Sequence, residues 1–173
     1  MSGDTSQALL DKVCAAILPV GGICAVVLGG SRGRGAHTAA SDYAIGIYYD
    51  GPLDVAALER VAQSLNTPVA GRNCGRSDDA PLMTPIGGWG PWVNGGGWLT
   101  IDGAPVDFIY RDAARVERVI SEACEGRFEC AYHYGHPHAL VSTIYAGEVA
   151  TCRVLADPRG FVAAAKARLS LYP

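Results

Sequence analysis

The sequence predicts an α/β (α+β) fold, with a small mixed, mainly antiparallel sheet flanked by helices and a helical C-terminal third. Three observations carry this. The 173 residues, 49% of them hydrophobic, suffice for one substantial core and fall short of two. Short runs of β-forming residues alternate with segments of helical period through the first two thirds of the chain. Asp102-Gly103, the dipeptide typical of a tight hairpin turn, joins two of those runs. The expected organisation is a core over residues 1–126 and a C-terminal helical extension over residues 127–173, packed on the core as one compact unit.

Within residues 6–18, Leu9, Leu10, Val13, Cys14 and Ile17 recur at the spacing of one helical face, and Pro19 with Gly21-Gly22 stops that helix. The continuous apolar run Cys24-Ala25-Val26-Val27-Leu28 suits a buried strand; it ends in Gly29-Gly30, with Ser31 suited to cap a helix behind it. A polar stretch over residues 32–41 leads to a second strand over residues 43–49, rich in β-formers. Asp50-Gly51-Pro52 turns the chain, and Asp54 caps a helix over residues 55–65 with Val55, Leu58, Val61, Ala62 and Leu65 on one side. Residues 67–97, which include Gly87-Gly88-Trp89-Gly90-Pro91-Trp92, predict an irregular lid or hairpin region. Strands over residues 98–101 and 105–110 flank the Asp-Gly turn. Asp112 then caps a helix striped by Val116, Val119, Ile120 and Ala123 and closed by Gly126. Helices are expected over residues 139–149 and 161–171, and no fixed-period repeat is visible.

Composition excludes some functions. A net charge of -3 gives no broad basic field for long nucleic acid, which favours a small-molecule partner. The longest uncharged apolar stretch, residues 15–28, is broken by Pro19 and Gly21-Gly22 and falls short of the ~20 residues of a membrane-spanning helix. The N-terminus lacks a basic segment ahead of an apolar run, so no secretory signal is expected and cytoplasm is the natural compartment. Six cysteines (Cys14, Cys24, Cys74, Cys124, Cys130, Cys152) form no C-x-x-C pair and lie mostly in apolar stretches, which reads as reduced packing residues.

One constellation carries chemistry. Gly29-Gly30-Ser31 follows a strand, Asp42 enters the next strand, and Asp107 lies on a later one. Glycines let backbone N–H groups approach a polyphosphate, and Ser31 can donate to a phosphate oxygen. Arg32 and Arg34 supply cations in the same stretch, which runs on through Ser41. Carboxylates on neighbouring strands suit Mg²⁺, a hard ion that binds through a few carboxylates and the phosphates of its substrate; two such ions can stabilise both the attacking and the leaving oxygen.

Leu28-Gly29-Gly30-Ser31, a spacer, and Asp42-Tyr43-Ala44-Ile45-Gly46-Ile47 resemble the signature of the DNA polymerase beta-type nucleotidyltransferase superfamily, Gly-Ser followed by Asp-x-Asp. The wider stretch from Gly29 through Tyr43 is most similar to the bacterial branch that includes the aminoglycoside and lincosamide nucleotidyltransferases. Val106-Asp107-Phe108 fits that family's third carboxylate, and the likeness covers roughly residues 20–112. The resemblance implies a nucleotidyltransferase fold and transfer of a nucleoside monophosphate, AMP from ATP, to a hydroxyl of a small molecule such as an antibiotic. It also implies Mg²⁺, two ions in an active parent, on Asp42 and Asp107. Gly29, Gly30, Ser31, Arg32, Arg34 and Ser41 are its implied nucleotide contacts.

The sequence departs from the pattern at Ala44, where the family has its second metal-binding carboxylate. Period-two alternation puts residues 42 and 44 on one face of the strand, so the place is right and the oxygens are missing. Two explanations stand. An active chain altered at this position so that a substrate complex can be trapped is favoured, because the other parts of the site are intact. The alternative is a natural non-catalytic nucleotide-binding or antitoxin-like interaction protein of the same fold. In either case this chain is expected to be nearly inactive.

The remaining candidates each have a plainer reading beside the functional one. Gly29, Gly30 and Ser31 alone would be an ordinary strand-to-helix turn. Asp42 alone would be a solvated turn carboxylate, and Asp107 an inward charge neutralised by Arg111. Glu148 and Glu129 are candidate general bases or surface carboxylates. Trp89, Trp92 and Trp98 form either an acceptor- or nucleotide-facing wall or packing beneath a loop. His133, His136 and His138 suit a turn that brings imidazoles, His136 and His138 above all, near the acceptor or nucleotide; zinc binding and helix capping are the other readings.

Overall fold

The structure is a computed structural model and describes residues 2–67, 80–132 and 139–170. Helix α1, Ser2–Ile17, buries Leu9, Leu10, Val13 and Ile17 as its spacing predicts, and it begins earlier than residue 6. Strand β1, Ile23–Leu28, is buried along its whole length, which accounts for its unbroken apolar run. A single helical turn, α2 (Gly30–Gly33), separates it from β2, Tyr43–Tyr49. Helix α3 spans Val55–Leu65; the Asp54 side chain accepts from Ala57 N at 2.8 Å, and Leu58, Ala62 and Leu65 are buried.

The tryptophan-bearing region is more ordered than the sequence suggests. Leu82 N and Met83 N donate to the Glu59 carboxylate at 3.0 and 2.7 Å, which ties the segment to α3. The one-turn helix α4 (Gly90–Val93) follows, and buried Asn94 then donates to Tyr49 Oη and accepts from Gly87 N, both at 2.9 Å. Side-chain bonds therefore replace the regular ladder along this stretch. Strands β3 (Gly96–Ile101) and β4 (Ala104–Asp112) pair antiparallel around Asp102 (φ 50°) and Gly103 (φ 81°), the doubly left-handed turn that Asp-Gly favours. Helix α5, Ala113–Cys124, starts on Asp112, whose carboxylate accepts from Ala114 N and Arg115 N at 3.0 and 3.2 Å.

The C-terminal part departs from the expected pair of helices. Cys130–Ala131 (β5) and Leu140–Val141 (β6) form a small ribbon. Helix α6 is only Ile144–Thr151, and residues Arg153–Ala156 are a strand, β7. The cause is long-range: β1 presents backbone groups along both edges, and β7 satisfies the edge that β2 leaves open, Leu28 facing Arg153 and Val27 facing Val154. Helix α7, Phe161–Leu169, ends the described fold.

The five-stranded sheet has the order β3-β4-β2-β1-β7, and all its pairings are antiparallel except β2 with β4. The expected small, mixed, mainly antiparallel sheet is thus present, with seven helices among the described residues. Period-two alternation sorts its side chains. Tyr43, Ile45, Ile47, Val106, Phe108 and Tyr110 pack with α1 and α3 in one core. Val27 and Tyr48 join Val116, Ile120, Tyr145 and Val162 in a second core, on the side of α5, α6 and α7. No helix of the described residues is long and apolar enough to cross a membrane. Cys14, Cys24, Cys124, Cys130 and Cys152 are free thiols, and burial is the first cause of the raised Cys24 and Cys152 values. Cys74 lies outside the described residues.

Candidate functional site

β2 and β4 run parallel and in register, with Ala44 beside Asp107. β3 pairs with the other edge of β4 and sets Trp98 beside Asp107. On the remaining side Gly29 N donates to the Ala44 carbonyl at 2.8 Å. Gly29, just past the end of β1, therefore forms one row with Ala44, Asp107 and Trp98 of three strands, with Asp42 two residues before Ala44 on the same face of the chain.

The glycine turn is shaped for this row. Gly30 has φ +61°, and a Cβ built on it would lie 3.4 Å from the Ala44 Cβ. A side chain at residue 30 would be strained and would also crowd the space above residue 44. Ser31 does not cap the helix behind the turn. Gly29 is the capping residue, because the helix begins two residues earlier than a Ser31 cap would require, and it has no side chain with which to bond. Ser31 Oγ has no hydrogen bond among the described residues. The first-turn N–H groups of so short a helix lack intrahelical acceptors.

Arg32 is spent on the protein itself. Its Nε donates to the Ser41 and Asp42 carbonyls at 3.0 and 3.1 Å and its Nη2 to the Ser41 carbonyl at 2.8 Å, while the guanidinium lies 3.8 Å from the centre of the Tyr43 ring. Arg32 thus latches the turn to the strand that Asp42 opens. Ser41 Oγ accepts from Thr38 N at 3.0 Å, and Arg34 is exposed.

Asp107 is the electrostatically unusual group. Burial, then the charge of Asp42 and a hydrogen bond with it, push its carboxyl up to about 6. No cation pairs with either carboxylate among the described residues. Arg111 does not neutralise Asp107: its side chain is 8% exposed and bonds Glu148 through Nε (2.7 Å) and Nη2 (2.6 Å), with Nη1 on the Val93 and Tyr110 carbonyls. Burial by itself would lower the Arg111 value, but the bond to Glu148 and its charge raise it.

Two converging carboxylates without a counter-cation form a donor set for a hard divalent ion, so Asp42 and Asp107 fit Mg²⁺. The methyl group of Ala44 adds no third donor, and no cluster of three metal-binding side chains occurs among the described residues. The set thus offers two carboxylates, and residue 44 supplies no third.

The tryptophans separate. Trp89 and Trp98 stack with ring centroids 4.6 Å apart, and Trp98 is 61% exposed. A Cβ on Gly96 would collide with the Phe108 carbonyl oxygen and would also meet the Trp89 ring at 3.0 Å, so the close approach of β3 to β4 requires a glycine there. Trp92 turns the other way, onto Tyr145 at 6.2 Å, and its carbonyl accepts from Tyr145 Oη. Glu148 is held by Arg111, four residues along β4 from Asp107, roughly 13 Å away on strand geometry. Glu129 pairs with Arg118 at 3.3 Å. Neither glutamate is brought to the row. His133, His136 and His138 lie outside the described residues.

Two features of the site went unread in the sequence. Arg32 on Tyr43 has no local signature. Arg111 follows Asp107 and Ile109 on the same face of β4, which announces a buried cation, but nothing along the chain points to Glu148 as its partner. No protein-family model matches the chain, and no curated protein matches it.

Proposed function

We propose that this chain binds a metal-complexed nucleoside triphosphate on a site of nucleotidyltransferase type, and that Ala44 leaves it a poor catalyst of transfer. The observation that carries this reading is the in-register row Gly29, Ala44, Asp107 and Trp98, with Asp42 against Asp107. An open glycine turn, converging carboxylates and an open aromatic face are the parts such a reaction needs, in the order in which it needs them.

In the parent reaction an acceptor hydroxyl attacks the α-phosphorus in line. A new O–P bond forms, the bond to the β-phosphate bridging oxygen breaks, pyrophosphate leaves with that electron pair, and the hydroxyl proton passes to solvent or a base. Mg²⁺, when bound, would neutralise charge on the phosphates. Asp42 and Asp107 would hold it. The N–H groups of Gly30 and Ser31 and the Ser31 hydroxyl would orient the phosphates, while Arg32 keeps turn and carboxylate at fixed spacing. ATP and an antibiotic-like hydroxyl acceptor follow from the family resemblance.

Isothermal titration of Mg-ATP into the chain, and pyrophosphate release by Ala44→Asp with a panel of hydroxyl acceptors, test this. Binding in both proteins and turnover in the variant are expected. Absence of Mg-ATP binding in both would sink the reading. Ala44 favours one alternative, a non-catalytic nucleotide-binding or antitoxin-like protein; its mark would be Mg-ATP binding without turnover by Ala44→Asp on any acceptor.

A further inference from the structure

We infer that the outward face of the β5–β6 ribbon is a dimerisation surface, covered in solution by the same face of a second copy of this chain. The inference is independent of the nucleotide-binding reading, which uses none of these residues.

The ribbon is folded with its apolar side outward. Cys130 faces Val141 across the pair, so their side chains share a face, and Phe128 and Tyr132, two residues either way from Cys130, fall on it by alternation. Ser142 N donates to the Glu129 carbonyl at 2.9 Å and Glu129 N donates to Ser142 Oγ at 3.0 Å, which carries the pairing back toward Phe128. Phe128 is 61% exposed and Tyr132 86%, and Cys130 and Val141 are open beside them. Ile144, 49% exposed, follows at the start of α6. The opposite face holds the partly buried Ala131 and Leu140 and the buried Ser142. An antiparallel pair with one covered side ordinarily turns its apolar side chains toward the protein. This one presents its largest apolar groups to water, and a two-stranded ribbon has little stability of its own to spend on that.

Three features select a second copy as the cover. The charges around the face are already paired within the chain, Glu125 with Arg127 and Arg118 with both Glu122 and Glu129. Such a rim offers no field to a nucleic acid or an anionic membrane, and it meets no uncompensated charge on a copy of itself. The aromatic residues stand at the two ends of the row, with Cys130 and Val141 between them. A two-fold axis through that middle lays Phe128 on the partner's Tyr132 and Tyr132 on the partner's Phe128, the reciprocal contact of an isologous interface. The open side chains together expose on the order of 500 Å², and with the charged rim around them they approach the ~800 Å² that each partner contributes to a stable interface.

The test is sedimentation of the full chain between about 1 and 100 µM, beside Phe128→Asp, Tyr132→Asp and, as a control on an exposed apolar residue elsewhere, Ile86→Asp. The unaltered chain and Ile86→Asp should form dimers within that range, and each ribbon substitution should weaken association about 30-fold or more, the scale of one lost hot spot. Both altered aromatic residues are exposed in the single chain, so far-UV circular dichroism should be unchanged. A bismaleimide spanning about 10 Å, the distance between facing sheets, should join Cys130 to the partner's Cys130 and fail in Cys130→Ser. Any of four results overturns the inference: a monomer at ~100 µM; a dimer that survives both ribbon substitutions; a dimer that Ile86→Asp disrupts as strongly; or a monomer that binds RNA or anionic vesicles through Phe128 and Tyr132.

Discussion

Replacing Asp107 with Asn should stabilise the metal-free protein at neutral pH. The folded chain holds the Asp107 carboxyl at about 6, against the usual 3.8. The folded state thus takes up the proton more readily than the unfolded one. That contribution to stability is complete below about pH 4 and is lost as pH rises through 6, so the wild type carries the full penalty at pH 7.5. At ~1.4 kcal/mol for each pH unit between the two values, the ceiling is about 3 kcal/mol. Asp107 is only half-buried, and solvent screening reduces the figure to about 1–1.5 kcal/mol. For a chain of this length that is a gain of roughly 2–6 °C in Tm for Asp107→Asn. Asp42→Asn should give less, because it removes the neighbouring charge but leaves the burial of Asp107, the larger cause. The assay is calorimetric or fluorescence melting in chelator at pH 7.5 and pH 4.5. Asp107→Asn should melt above wild type at pH 7.5, with the gap shrinking at pH 4.5. Saturating Mg²⁺ should then stabilise wild type by mass action and leave Asp107→Asn unmoved. An Asn variant no more stable than wild type at pH 7.5, or one whose advantage grows on acidification, would refute the reasoning.

Two further perturbations follow. Glu148→Gln strands the buried Arg111 guanidinium and should cost about 2–4 kcal/mol in denaturant unfolding, whereas the double change Arg111→Met with Glu148→Leu recovers most of that loss. Gly30→Ala forces an alanine to φ near +61° against Ala44 and should cost about 1–2 kcal/mol of stability; in titrations it should weaken Mg-ATP more than it weakens Mg²⁺ alone.

The parts of the fold legible in the sequence are those set by local chemistry. Asp54 and Asp112 act as helix caps where their spacing to the apolar stripes puts them, the second strand falls on residues 43–49, and Asp102-Gly103 turns the hairpin. β7 was hidden because Arg153-Val154-Leu155-Ala156 becomes a strand only by meeting the free edge of β1. The site divides in the same way. Gly30, Asp42 and Ala44 lie close enough along the chain for spacing to relate them. Their meeting with Asp107 depends on a parallel register, and the departure of Trp92 from Trp89 and Trp98 depends on α5 and α6, where Tyr145 and Arg115 take up its ring and the neighbouring carbonyls. Trp98 stands beside Asp107 through the β3–β4 register, and its exposure follows from what packs elsewhere.

The Arg32 bonds to the Ser41 and Asp42 carbonyls make residues 29–43 a self-closing cassette. The turn and the first carboxylate are fastened to each other as well as to the sheet. For protein engineering, that makes this segment a transferable part: grafted between two antiparallel strands of matching length, it brings its own spacer geometry with it. Substitutions at residues 35–37 can then alter how the part is entered from solvent while Thr38 and Arg32 still hold Ser41.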